Sequence, residues 1–106
     1  MEKYLVFESK EQAERVIPLN QIKKIRIGKE EFCLAHTING FVAFEKNCPH
    51  MGDDLSKGKI NSLGEVVCPW HSYRFSLTLG DECENRCDGL QTYRTDWENG
   101  QLHVFV

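Results

Sequence analysis

Apolar and polar residues alternate over short stretches of this chain and are interrupted by turn signals; no long helical repeat appears. The opening KYLVFE reads as a strand, and SKEQAERVI as one short helix, because Ser9 and Gln12 stand at capping-box spacing. QIKKIRI alternates again, with Ile22, Ile25 and Ile27 not all on one face, and GKE turns the chain into EFCLAHT. Asn39-Gly40 sits between two apolar runs and predicts a hairpin that folds Phe41 to Glu45 back onto Phe32 to Thr37. From residue 46 to Glu65 the composition shifts to Pro, Gly, Asp, Ser and Lys, with Gly52, Gly58 and Gly64 spaced as loop and turn positions. Strand-like patterning resumes in YRFSLTLG, LQTYRTDWENG and QLHVFV, with Asn99-Gly100 marking a second hairpin. The pattern describes a small, mainly β domain, residues 1–45 and 76–106, carrying a loop-rich insertion, residues 46–75.

Length and charge narrow what such a domain does. At 106 residues there is room for one domain with a modest core. Thirteen basic against 16 acidic residues, net charge −3, leave no basic stripe for nucleic acid. The start MEKYLVFESKEQ has neither the basic residues nor the apolar run of a signal peptide, and no apolar stretch is long enough to cross a bilayer. A soluble cytoplasmic protein with no membrane partner is expected. In a reducing compartment, five cysteines point to metal ligation before disulfides.

The cysteines and histidines are unevenly placed. Cys48 and His50 lie one residue apart, Cys68 and His71 two apart, and each cysteine is followed by a proline that stiffens its loop. The insertion around them has few large apolar side chains, so a bound metal centre is expected to hold its two loops together. Two centres suit two thiolates and two imidazoles: a tetrahedral zinc ion, or a [2Fe–2S] cluster with the thiolates on one iron and the imidazoles on the other. Cys33 and His36 form a third pair, but on a strand, positions three apart face opposite sides, so they do not converge. Cys83 and Cys87, in GDECENRCDG, are read as thiols without a site, and His103 as a half-exposed strand residue.

The stretches CPHMGDDL and CPWHSYRF resemble the Rieske iron–sulfur signature, C-x-H, a spacer, then C-x₂-H. The resemblance implies a Rieske-like antiparallel β sandwich or barrel with a small inserted cluster-binding subdomain, and a [2Fe–2S] cluster. It implies that Cys48 and Cys68 bind the inner iron, and His50 and His71 the outer one. Respiratory members carry an additional cysteine in each loop; Asp53 and Trp70 stand there instead, so the chain resembles the soluble Rieske-type ferredoxins. Ser72 replaces the glycine usual after the second histidine, and Ser72 and Tyr73 are out of register with the hydrogen-bond donors of the respiratory type. Met51 and Trp70 are read as cover for the cluster.

Two thiolates leave a diferric cluster neutral where four would leave it doubly negative, so an electron enters more easily; Rieske potentials accordingly span roughly −150 to +300 mV against about −400 mV for plant-type clusters. Without those donors, a potential toward the low end is expected. The function implied is that of a one-electron carrier between a flavoprotein reductase and a terminal oxygenase or similar acceptor, not an enzyme in itself. Two alternatives stand beside it: an electron-transfer subunit bound to a larger oxidoreductase, such as the small subunit of a nitrite reductase, and a zinc-stapled interaction module. An oxygenase is excluded by size, since only His36 and His103 remain for a mononuclear iron and no second domain holds a substrate.

Overall fold

The opening strand pattern becomes β1 (Lys3–Phe7), which pairs with the last strand of the chain and closes one edge of a sheet. The computed structural model describes residues 2–49, 52–69, 73–77 and 89–106. The expected helix is α1 (Lys10–Val16). Ser9 Oγ accepts from Gln12 N at 3.1 Å, while the Gln12 side chain takes the Glu8 N–H at 2.7 Å, one residue before the position a standard capping box uses. β2 (Ile22–Ile27), β3 (Glu30–Thr37) and β4 (Gly40–Phe44) form an antiparallel meander. With β8 (Thr92–Glu98) and β9 (Gln101–Phe105) they make a curled six-stranded sheet in the order β1-β9-β8-β4-β3-β2.

The two Asn-Gly dipeptides make different turns. Asn99 (φ 52°) and Gly100 (φ 76°) both lie in the left-handed region between paired Glu98 and Gln101, as a mirror-image two-residue turn requires. At the other hairpin Thr37 pairs with Gly40, so Ile38 and Asn39 are the turn residues and only Gly40 (φ 109°) is left-handed. Thr37 Oγ1 fastens it by donating to Gly40 O at 2.9 Å and accepting from Asn39 N at 3.0 Å.

β3 is buried on both faces, which separates two cores. Phe32, Leu34, Phe41 and Ala43 join Phe7, Ala13, Ile17, Leu102 and Val104 on the side covered by α1. Cys33, Ala35 and Phe44 face the other side. There they meet a second, three-stranded sheet of β5 (Lys59–Ile60), β6 (Glu65–Val67) and β7 (Arg74–Ser76), preceded by a 3₁₀ turn, Leu55–Lys57. Together the two sheets make the mainly β architecture the sequence pattern implied, with one small α-helix among the described residues.

One expectation is corrected here. The insertion does not rely on a metal alone for its interior, because Leu55, Ile60, Val66 and Phe75 are all buried and share one core with Cys33, Ala35 and Phe44 of the large sheet. Few in number, these side chains suffice because the large sheet supplies the other wall.

Candidate metal centre

Cys48 leaves β4 by way of Glu45–Asn47 and opens a loop that closes on its own backbone. Its N–H donates to Asp53 O at 2.8 Å, and its carbonyl accepts from Gly52 N at 2.7 Å. Gly52 (φ +77°) supplies the left-handed step this closure needs, and Asn47 Nδ2 donates to Gly52 O at 3.0 Å. Cys68 leaves β6 and opens a second loop with the same closing bond, its N–H donating to Tyr73 O at 2.8 Å. In each loop, therefore, the cysteine amide bonds to the carbonyl five residues on. The tips carry His50 and Met51 in one loop, and Trp70, His71 and Ser72 in the other. Those five residues lie outside the described ones, as do Cys83 and Cys87.

Both cysteines are almost wholly removed from solvent, Cys48 at 2% and Cys68 at 1% exposure, and both belong to the core shared by the two sheets. Tyr73 packs against the same core at the end of the second loop. Asp53 Oδ2 is buried in the first loop without a hydrogen-bond partner among the described residues. Asp53 holds the loop through its backbone carbonyl.

The first loop is tied to the large sheet by charge. Lys24 Nζ of β2 meets Asp54 Oδ2 at 2.6 Å, and Asp54 Oδ1 accepts from Ser56 N at 2.9 Å and Ser56 Oγ at 2.6 Å, capping the 3₁₀ turn. Burial pushes the Asp54 carboxyl upward, but the Lys24 ammonium and then the Ser56 donors outweigh it and hold the group at about 2. Gly58, at the end of that turn, lies flat on β6: a Cβ there would be driven into the Val67 carbonyl oxygen and stand 3.2 Å from Leu55 O. A glycine is required by this close approach next to Cys68, not by its φ of −81°. Sequence spacing marked Gly58 as a loop residue but held no sign of the contact with a strand nine positions on, nor of the Lys24–Asp54 pair thirty positions apart.

Cys33 and His36 diverge as the strand period requires. Cys33 is fully buried beside the insertion. His36 stacks on Phe41 at 4.3 Å between ring centres, with Nδ1 2.9 Å from Ile17 O, on the other side of the sheet. Burial pushes the Cys33 thiol up to about 12, so it is a packed neutral group. His103 is a partly buried β9 residue opposite Asp96.

Two buried thiols presented by twin loops into one core suit the sulfur half of a Cys₂His₂ centre. His50 and His71, which the sequence pairs with these thiols, lie outside the described residues, and among the described residues no group of three His, Cys, Asp or Glu side chains converges on a metal position. Fold and thiol pair thus define a β protein built to hold a thiolate-ligated metal centre. The chain belongs to the Rieske [2Fe-2S] domain family, whose profile matches residues 3–94. Family membership carries with it a [2Fe–2S] cluster as cofactor.

Individual relatives extend the comparison. The chain is 32% identical over 85 residues to human (Homo sapiens) apoptosis-inducing factor 3, a match covering 79% of this chain and 14% of that protein. It is 29% identical over 77 residues to the 3-phenylpropionate/cinnamic acid dioxygenase ferredoxin subunit of Photorhabdus laumondii, covering 72% of this chain and 73% of that one. In fold it is similar to the ferredoxin of carbazole 1,9a-dioxygenase from Nocardioides aromaticivorans, with a TM-score of 0.79, 16% identity and 98% and 97% of the two chains covered. The chain thus spans a small fraction of the human relative's length and about three quarters of the bacterial ferredoxin subunit's. Among the described residues no helix is long and apolar enough to cross a membrane.

Proposed function

We propose that the protein is a one-electron carrier of the Rieske ferredoxin type, with Cys48 and Cys68 on one iron of the cluster and His50 and His71 on the other. The observation that carries this reading is the pair of equivalent loops. Each is closed by its cysteine amide onto the carbonyl five residues on, and each buries its thiol in the same core. When bound, the cluster supplies reversible uptake of a single electron.

The chain's own residues supply the rest. The closing bonds hold both cysteine backbones in place, which limits rearrangement when charge changes. Cys33, Phe44, Leu55, Val66 and Phe75 exclude water from the thiol side. Residues 46–75 act as the cluster-binding unit and residues 1–45 and 76–106 as its base, within a single domain. The circuit is a flavoprotein reductase as donor and a terminal oxygenase or similar oxidoreductase as acceptor, in the cytoplasm. The ferredoxin subunits among the relatives support that circuit and a carrier role.

Protein purified without oxygen tests the cofactor. It is expected to be coloured, with two irons per chain and an EPR signal after dithionite reduction. Colourless, EPR-silent protein carrying zinc would show the interaction module instead. In the holoprotein, His71→Cys adds a negative ligand and is expected to lower the midpoint potential by on the order of 100 mV, within the spread between Rieske and plant-type clusters. An unchanged or higher midpoint would remove His71 from the ligand set.

A further inference from the structure

A hollow of about 400 Å³ opens beside the second loop, lined by Lys57, Gly58, Lys59, Val67, Cys68 and Pro69. It reaches a proposed cluster ligand, and no carboxylate of the described residues lines it. Its two charged residues are held in place by backbone. Lys57 ends the 3₁₀ turn, Lys59 is the ladder partner of Val67, and Gly58 between them is pressed onto the Val67 carbonyl. Both lysines are exposed, and among the described residues neither joins a carboxylate, whereas Lys24 and Lys46 are neutralised by Asp54 and Glu31 at 2.6 Å. A chain of net charge −3 therefore presents, at the rim of a hollow that leads to Cys68, two cations that no described carboxylate neutralises.

We infer that this face is where the protein exchanges electrons with an acidic protein partner, whose surface carboxylates seat against Lys57 and Lys59. The inference rests on the electron-carrier reading above. Charge complementarity selects the occupant: unpaired ammonium groups raise the local concentration of anions and speed encounter, and the effect fades with salt. Proximity to Cys68 gives the encounter a use, since an electron donor or acceptor seated there is close to the cluster's sulfur ligand. The partner's carboxylates supply counter-charges that the described acidic residues do not provide at this site.

Holoprotein reduced by dithionite and freed of excess reductant tests this by stopped flow against two one-electron oxidants. One is hexacyanoferrate(III), an anion; the other is tris(phenanthroline)cobalt(III), a cation. In each reaction one electron leaves the protein and reduces one metal complex, iron(III) to iron(II) or cobalt(III) to cobalt(II). The double variant Lys57→Glu/Lys59→Glu is expected to slow the hexacyanoferrate reaction roughly tenfold at low ionic strength and to speed the cobalt reaction, both differences shrinking with added salt. Lys57→Gln/Lys59→Gln should fall between. The control Lys10→Glu/Arg15→Glu makes the same change in net charge on α1, whose Ala13 belongs to the opposite core, and should alter both rates much less. Equal effects from the α1 control, no effect from the Lys57/Lys59 variants, or a change of the same sign for both oxidants would each overturn the assignment. Wild-type protein without the cluster's colour and EPR signal would instead defeat the carrier reading, before any rate is measured.

Discussion

Cys33 shows how one buried thiol is constrained by its neighbours. It sits on β3 with no exposure, in the core that also holds Cys48 and Cys68, and burial raises its pKa from 9.0 to about 12. The folded state therefore holds the Cys33 proton more tightly than the unfolded chain. The stabilisation is fully present below 9.0 and is lost as pH rises from there through about 12. At about 1.4 kcal/mol per pH unit, this limb is worth at most about 4 kcal/mol. Cys33→Val, close in volume and without a proton to lose, should unfold with a flatter alkaline limb in urea titrations between those pH values. A wild-type limb as shallow as the variant's would place the thiol in contact with water. The same burial makes Cys33 unreactive toward alkylating agents near neutral pH, so its thiol does not compete with the loops for metal.

The elements differ in how openly the sequence declared them. β3, β4, β8 and β9 are five to eight residues long, enough for alternation to register, and glycine in each Asn-Gly pair marked a true turn. The form of the first turn was not legible, since it depends on whether the left-handed step falls at Asn39 or only at Gly40. β5, β6 and β7 have two or three residues each, too short for any period, and their pairing comes from the large sheet against which they pack. Of the candidate site, both cysteines were legible because their spacing is local. The clamp on the first loop was not, since Lys24 and Asp54 meet only once β2 and the 3₁₀ turn are brought together. That clamp has its own pH signature. Asp54 is held at about 2 against an ordinary 3.8, so its contribution is present above 3.8 and is lost as pH falls through about 2. Asp54→Asn should cost about 1 kcal/mol at pH 7, as a half-buried, partly screened ion pair and a weakened cap together suggest. It should also remove that component of the acid limb. Equal stability of variant and wild type at pH 7 in guanidine-free thermal melts would show that the clamp contributes nothing.

For the whole molecule, the question is whether the cluster holds the insertion together or is received by an insertion already folded. Its interior is continuous with that of the base: Leu55, Ile60, Val66 and Phe75 pack with Ala35, Phe44 and Leu90 as one group, and Lys24 adds a charged tie from β2. Burying four large apolar side chains contributes about 1.5–3 kcal/mol each, before the entropy of ordering the segment is subtracted. The two cysteine loops, by contrast, carry the proposed cluster ligands. The expectation is that removing iron destabilises the protein without separating its two parts. Apoprotein prepared by acid or chelator treatment should unfold in one transition, at lower temperature than the holoprotein. Hydrogen exchange should find the Val66 amide, paired across the small sheet, protected in the apoprotein almost as well as the Val104 amide of the large one. The amides of loop tips 49–51 and 69–72 should exchange faster once the metal is gone. If Val66 instead exchanges at the rate of an open chain while Val104 stays protected, the shared core is too weak to order the small sheet and the cluster is its principal support.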